Sequence, residues 1–276
     1  MGRVVVLGSL NVDVVTLVER HPLPGETLLG EAGGTFAGGK GGNQAVAAAR
    51  AGADVAVLAR VGDDGPGRAY LDRLVTLGVD TNAVSVSSTA PTGTAFITVD
   101  EQGENSIIVV AGANGERDRA LVEHASSLRP GDVLLCSLEV PLETVADAAR
   151  AAHRAGARVV LNLAPYAALP ADVVALADPV VVNESEMRAL ADSELIPQSL
   201  LVTFGAAGAR WGLEGVDGIP VAKRDLGDTV GAGDAFCGAL AAALADGADD
   251  RAALEAANRA GAAAVRWVGA QPDAAL

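Results

Sequence analysis

Lysine is almost absent from this 276-residue chain, where Lys40 and Lys223 are the only two. Acidic residues outnumber basic ones by 35 to 20, which gives a formal charge of −15 and an isoelectric point near 4.5. This balance argues against a nucleic-acid or anionic-membrane surface, since either needs a basic face. An anionic ligand would need local positive features instead, and Lys40 stands inside a glycine cluster. The two cysteines, Cys136 and Cys237, lack metal or redox spacing, and His21, His124 and His153 are too scattered for a zinc site; reduced core thiols are expected. No apolar run reaches membrane-spanning length. The first residues enter an apolar strand with no charged region, long apolar stretch and cleavage site in sequence, so cytoplasmic residence is the expectation. Aromatics make up only 3% of a chain that is half hydrophobic. Its core must be built from alanine and valine in closely packed layers.

The length fits one large α/β domain with room for a small appendage. Valine-rich runs at 4–7, 55–59, 133–136, 159–163, 180–182 and 200–204 read as buried parallel strands. Alanine-rich stretches at 44–51, 67–77, 142–155 and 170–177 have helical spacing, which gives repeated βαβ units with ligands expected at the C-terminal ends of the strands. Two segments break the pattern. Residues 12–18 with 27–30, and 92–99 with 106–110, look like antiparallel strands joined by polar turns. They fit a small sheet laid over the site as a lid that would keep water out of it; the plain alternative is a pair of surface hairpins.

The most informative stretch is Gly227-Asp228-Thr229-Val230-Gly231-Ala232-Gly233-Asp234-Ala235-Phe236, which runs into an alanine-rich helix. Small residues at 231–233 let the backbone turn tightly and bare its N–H groups where the helix begins, so the segment can hold an anion. Asp234 stands at the edge of that pocket. A carboxylate beside an anion repels it, but the pairing makes sense if a neutral hydroxyl approaching the anion must give up its proton there. The implied reaction is phosphoryl transfer to an alcohol. The structural alternative is a glycine-rich loop before a helix with a first-turn carboxylate, which favours helices in any case.

The cluster from Gly34 to Gly41 imitates the phosphate loop G-x-x-x-x-G-K, yet glycine follows the lysine where serine or threonine must hold magnesium. The first strand ends in Gly8-Ser9-Leu10-Asn11, with one glycine in place of the G-x-G-x-x-G that dinucleotides require, so a nicotinamide oxidoreductase lacks its fingerprint. Gly38-Gly39-Lys40-Gly41-Gly42-Asn43-Gln44 is instead a bare backbone surface with one ammonium and two amides ahead of a helix. It suits a polyhydroxylated ligand, for which Asn11, Asp13, Lys40, Asn43 and Glu139 supply both donors and acceptors. Singly, each has an ordinary explanation: turn residues at 11 or 13, a helix-start carboxylate at 139, an N-cap at 43.

Together with Pro24-Gly25-Glu26-Thr27, Asn183-Glu184-Ser185-Glu186, Thr203-Phe204-Gly205-Ala206-Ala207-Gly208 and Gly269-Ala270-Gln271-Pro272, these segments resemble the ribokinase family of PfkB-type carbohydrate kinases over nearly the whole chain. The resemblance implies a three-layer α/β/α fold with a central, mostly parallel sheet and a small antiparallel β lid from about 12–36 and 92–110 on a single domain. It implies that Asp234 is the general base toward a primary sugar hydroxyl and that the N–H groups of Gly231, Ala232 and Gly233 stabilise the γ-phosphoryl group. By the same resemblance, Asn11, Asp13, Gly39, Lys40, Asn43 and Glu139 hold the sugar, and Asn183, Thr203, Gly205, Gly208 and Asn258 line the ATP site with Gly233. Glu186 completes an N-x-x-E motif associated with Mg2+ and phosphate. A potassium-like cation (K+) would be held by Asp228, Val230, Ala264, Trp267, Gly269 and Asp273. A homodimer through the lid is implied as well.

Two departures stand out. Only residues 187–199 separate Glu186 from the strand at Leu200, where relatives place a further helix, and the sequence stops soon after Asp273 without a terminal helix. Both lie near the nucleotide half. The expected activity is transfer of the γ-phosphate of ATP to the 5-hydroxyl of D-ribose. Deoxyribose, another pentose or a nucleoside are alternative acceptors, and a non-catalytic sugar or nucleotide sensor is the alternative from another class.

Overall fold

The computed structural model describes residues 2–276. Along the chain run β1 (Val4–Leu7), β2 (Asn11–Leu17), β3 (Glu31–Gly38), α1 (Lys40–Arg50), β4 (Val55–Leu58), β5 (Arg60–Gly62), α2 (Gly65–Thr76), β6 (Val79–Asp80), β7 (Ser85–Ser87), β8 (Gly93–Val99) and β9 (Asn105–Val110). There follow α3 (Arg119–Ser126), β10 (Val133–Cys136), α4 (Leu142–Arg154), β11 (Arg158–Asn162), α5 (Ala171–Leu176), β12 (Val180–Asn183), α6 (Glu184–Ala191), β13 (Leu200–Thr203), β14 (Gly208–Trp211), β15 (Glu214–Asp217), α7 (Ala232–Ala245) and α8 (Asp250–Ala264).

Nine strands form the main sheet in the order β15-β14-β13-β12-β11-β10-β1-β4-β6. Pairing is parallel from β13 to β6, and the β13–β14 and β14–β15 pairings at one edge are antiparallel. The central strands β1, β4 and β10 are buried at every position, as expected where helices cover both faces. Two apolar clusters flank the sheet: Val4, Val6, Leu135 and Leu240 lie in one, Val5, Leu7, Leu134 and Leu161 in the other. Both cysteines are free and buried. No helix among the described residues is long and apolar enough to cross a membrane.

The second sheet runs β3-β2-β8-β9. It consists of two antiparallel hairpins, as the sequence suggests, joined side by side by a parallel β2–β8 pairing. The partner of β2 is 31–38 and not 27–30: the Glu26 N–H and carboxylate both bond back to Leu23, closing a turn there, and the strand begins only beyond it. Residues 274–276 then lie along β3, with the Ala37 N–H donating to the Ala274 carbonyl at 2.7 Å and the Leu276 N–H to that of Thr35 at 3.0 Å. After α6, residues 192–199 lead into β13 without another helix.

The first helix also corrects the sequence expectation, since it starts at Lys40 rather than Gln44. Two glycines in its first turn cost about 1 kcal/mol each relative to alanine, but packing demands them. A Cβ on Gly41 would stand 2.7 Å from Gly8 Cα at the end of β1, and one on Gly42 would collide with the Tyr70 hydroxyl. Gly39 caps the helix at φ 82°, a conformation that disfavours any side chain. Asn43 is therefore a helical residue and not the cap.

Candidate active site

Helices α1 and α7 pack face to face because their contact surfaces are small. A Cβ on Gly238 of α7 would come within 2.5 Å of the Gln44 carbonyl oxygen. One turn earlier on α7 is Asp234, and this close approach delivers two side chains of α1 to it. Asn43 Nδ2 donates to Asp234 Oδ2 at 3.0 Å, and Gln44 Nε2 donates to Oδ1 at 2.9 Å. Lys40 Nζ is 4.0 Å from the same Oδ1. Asp234 is only 6% exposed, yet each of its oxygens is met by a donor. The adjacent carboxylates, Asp234 foremost and then Glu139, hold the Lys40 ammonium more firmly protonated than usual against the opposing effect of burial.

Gly231 caps α7 in the left-handed region, φ 77°, which turns the chain so that the helix axis begins at Ala232. First-turn N–H groups have no partner inside a helix and carry the positive end of its dipole. The Ala232 N–H makes only a long 3.4 Å bond to the Thr229 carbonyl, and a Cβ on Gly233 would meet no atom within 4 Å. The start of α7 thus opens onto free space beside a buried carboxylate, an arrangement suited to an anion meeting a hydroxyl.

The predicted sugar ligands converge near this point from β2, β3, α1 and the turn after β10. Asn11 and Asp13 are two apart on β2 and so share a face. Asn11 Oδ1 accepts from Asn114 Nδ2 at 2.8 Å, and Asn114 is itself anchored on the Leu10 backbone. The Asp13 carboxylate lies where a side chain on Gly38 would stand. Burial foremost, and Glu139 after it, push its pKa up to about 7. Glu139 Oε2 accepts from the Ser9 hydroxyl and, at 3.0 Å, from the Lys40 N–H, stapling the β1 turn to the start of α1.

The predicted nucleotide residues line the C-terminal ends of neighbouring strands. Asn183 ends β12 and forms a reciprocal capping box with Glu186: the Glu186 N–H donates to Asn183 Oδ1 at 2.9 Å, and the Asn183 N–H to Glu186 Oε2 at 2.8 Å. The N-x-x-E motif thus has a structural role whatever else it does. Burial raises the Glu186 pKa against the lowering effects of the Asn183 N–H bond and of Lys40, with Asp234 adding a smaller upward push. Thr203 ends β13, with its hydroxyl donating to the Val182 carbonyl at 3.4 Å; Gly205 and Gly208 bound the turn into β14; and Asn258 Nδ2 on α8 donates to the Asp217 carbonyl at 2.9 Å.

The two loops expected to hold a monovalent cation touch at two points. Cβ atoms on Gly227 and Gly231 would stand 2.6 Å from the Trp267 carbonyl and 2.5 Å from that of Ala270. Asp228 Oδ1 accepts the Val230 N–H at 3.0 Å, and the Ala264 carbonyl accepts from the Trp267 N–H at 3.3 Å. Gly269 lies in the same loop with φ 79°, whereas Asp273 is solvent-exposed with φ 51°. Among the described residues no three His, Cys, Asp or Glu side chains cluster to hold a metal, so a cation here would rely on carbonyl oxygens with Asp228. That oxygen set suits a hard cation.

The sequence does not single out the side chains of Tyr70, Asn114 and Gln271, and it offers the Gln44 amide only as part of a surface for a polyhydroxylated ligand, not as a donor to Asp234. Gln271 lies within the Gly269-Ala270-Gln271-Pro272 motif, and a polar residue kept inside an apolar helix is the signal that points to Gln44.

Residues 1–275 match the pfkB family of carbohydrate kinases. The ribokinase of Bacillus subtilis (strain 168) is 38% identical over 280 residues, covering 98% of this chain and 95% of that protein. The solved structure of a ribokinase from Thermotoga maritima is 30% identical and superposes with a TM-score of 0.87, covering 98% of this chain and 95% of that one. The Arabidopsis thaliana ribokinase solved with ribose and ATP is also 30% identical, with a TM-score of 0.85 and the same coverage.

Proposed function

The chain belongs to the pfkB family of carbohydrate kinases, and from that premise we propose that it transfers the γ-phosphoryl group of ATP to the 5-hydroxyl of D-ribose. The observation that carries this reading is the buried Asp234, gripped on both oxygens at the open N-terminus of α7 with the Lys40 ammonium 4.0 Å away. Full-length similarity to ribokinases, one of them solved with ribose and ATP, supports ribose as the acceptor.

In this reading Asn11, Asp13, Gly39, Lys40, Asn43 and Glu139 hold the sugar so that its primary hydroxyl meets Asp234. As the hydroxyl oxygen bonds to the γ-phosphorus, its proton passes to Asp234, the bond from phosphorus to the β,γ-bridging oxygen breaks, and ADP leaves. The backbone N–H groups of Gly231, Ala232 and Gly233 stabilise the charge on the transferring group, and most of the rate comes from such positioning and electrostatics. Asn183, Thr203, Gly205, Gly208 and Asn258 flank the nucleotide. Mg2+ would neutralise phosphate charge near Glu186, one of whose oxygens is taken by the Asn183 N–H. A K+-like cation between the loops at Asp228, Val230, Ala264, Trp267, Gly269 and Asp273 would add positive potential behind the anion hole. We assign the work to the cytoplasm, where ATP is supplied.

A homodimer through the lid is part of the proposal. The edge strand β9 exposes Ile107, Ile108, Val109 and Val110 at 47–67%, an apolar unpaired edge of the kind that proteins usually cover.

The decisive experiment is a panel of D-ribose, deoxyribose, other pentoses and nucleosides in an ADP-release assay, run on wild type and Asp234→Asn. Ribose is expected to give the highest kcat/KM. The variant should lose roughly 10²- to 10⁴-fold in kcat, the typical worth of a general base, while still binding ribose in calorimetry. A wild type that binds ribose but releases no ADP with Mg2+ and K+ present would leave the sensor reading standing instead.

A further inference from the structure

The hydrogen bonds behind Asp234 form a chain with a single polarity. A carboxylate only accepts, so Asn43 turns its NH2 group toward Asp234 and its carbonyl away. That carbonyl accepts from Gln271 Nε2 at 2.8 Å. Gln271 must then face its own Oε1 outward, where Arg73, a residue that can only donate, meets it at 3.2 Å and grips the Pro272 carbonyl at the same distance. Gln271 Nε2 also reaches the Tyr70 hydroxyl at 3.2 Å, and that hydroxyl spends its proton on the Gly38 carbonyl at 2.6 Å. Gln271 is 2% exposed and Tyr70 fully buried, so bulk water cannot stand in for either partner.

We propose that Gln271, Arg73 and Tyr70 are positioning residues for phosphoryl transfer. The chain from Arg73 through Gln271 and Asn43 fixes the orientation of the Asp234 carboxylate, and the Tyr70 branch ties it to the loop at Gly38 that meets the sugar. This rests on Asp234 being the general base. The terminal torsions of Asn and Asp side chains are broad and roughly two-fold, so packing alone defines them poorly. Without the Gln271 donor, the buried Asn43 carbonyl is left unpaired, and Asn43 is free to swing out of line with Asp234 toward another donor. Gln44 alone would then hold the carboxylate by one oxygen. With the chain intact, two of about four lone-pair sites on the carboxylate are occupied by fixed donors, and the remainder are free to take the sugar proton.

The test compares Gln271→Leu, Arg73→Ala and Arg73→Lys with wild type in steady-state kinetics on ribose, with thermal melts to verify folding. A misplacement of about 1 Å at the reacting group costs on the order of 10²-fold in rate. Gln271→Leu is expected to lose that much in kcat while its ribose KM changes far less. Arg73→Ala should lose about a tenth as much, since Asp234 still sets the polarity from the inner end, and Arg73→Lys, which keeps a donor, should recover most of it. A folded Gln271→Leu with wild-type kcat would overturn the proposal, as would an Arg73→Lys no better than Arg73→Ala. If the wild type turns over no sugar, the kinase reading falls by itself. A crystal structure of Gln271→Leu then decides the positioning claim: displaced Asn43 and Asp234 side chains support it, and unmoved ones refute it.

Discussion

Replacing Asp13 by asparagine should make the protein more stable and a worse sugar binder, with the gain growing as pH rises from about 4 to about 7 and complete above that. The Asp13 carboxyl is pushed from an ordinary 3.8 up to about 7 by burial and by Glu139. Between those values the unfolded chain has released a proton that the folded protein still holds. Stability therefore falls as pH rises through this window, and the whole penalty is present above it. At about 1.36 kcal/mol per unit, the span from 3.8 to about 7 sets a ceiling of about 4 kcal/mol at pH 8.5. If relaxation around the charge recovers half of this, about 2 kcal/mol remains, which at about 2–4 °C per kcal/mol for a chain of this size is a rise of about 4–8 °C in Tm. Calorimetric melts of sugar-free wild type and Asp13→Asn should thus differ by several degrees at pH 8.5 and converge near pH 4. The functional cost follows from the same charge. An ionised carboxylate can accept from two sugar hydroxyls where an amide carbonyl is one acceptor, and hydrogen bonds to charged groups are worth about 1.5–3 kcal/mol, so ribose KM should rise on the order of 10- to 100-fold. A variant no more stable than wild type at pH 8.5, or one with the same margin at pH 4, would refute the reasoning.

In the wild type, ribose binding that requires ionised Asp13 should weaken as pH drops below about 7, approaching tenfold per unit, with a kcat profile that does not share this limb; titration of KM against pH checks it. Gly238→Ala should destabilise by about 1–3 kcal/mol, the usual cost of overpacking, because its Cβ would meet the Gln44 carbonyl; urea melts measure this, and kcat should fall with it as α1 carries Asn43 and Gln44 away from Asp234. Activity in K+ should exceed that in a large organic cation at matched ionic strength, and equal rates would remove the cation site between Asp228 and Trp267. Ile108→Lys on the exposed lid edge should shift the mass measured by light scattering from dimer to monomer, and a wild type that is already monomeric would end the dimer proposal.

The parallel core was legible because β1, β4, β10 and β12 are short continuous apolar runs, and runs buried on both faces leave no other reading at that length. The helix start at Lys40 was not legible, because local propensity disfavours Gly41 and Gly42 and only their contacts with Gly8 and Tyr70 overrule it. The lid strand at 31–38 was misplaced for a related reason: it contains Gly33, Gly34 and Gly38 and has little β propensity, so its partner β2 decides it. The short edge strands β14 and β15 and the two-stranded β5–β7 pairing carry no periodic signal at all. Asp234, Lys40 and the glycine turn could be read because their chemistry is local to their motifs. The Gln44 amide was read only as a surface for a sugar, and Tyr70, Asn114 and Gln271 were not read at all, since their meaning lies in partners 190, 32, 103 and 228 positions away.

A chain with net charge −15 that handles ATP faces a field of the wrong sign, and its scarcity of lysine deepens the difficulty. The site resolves it with groups that composition does not count. The start of α7 presents N–H dipoles, which bring positive potential without adding net charge and do not titrate. The one ammonium close by, Lys40, is kept charged by Asp234 and Glu139. Asn43 and Gln44 supply neutral donors to both oxygens of Asp234 at the start of α7. Those donors reach it only because Gly238 lets α1 lie against α7. The abundance of alanine and glycine and the scarcity of lysine therefore belong to one solution: small residues bring backbone dipoles and amides close enough to take the place of side-chain charge.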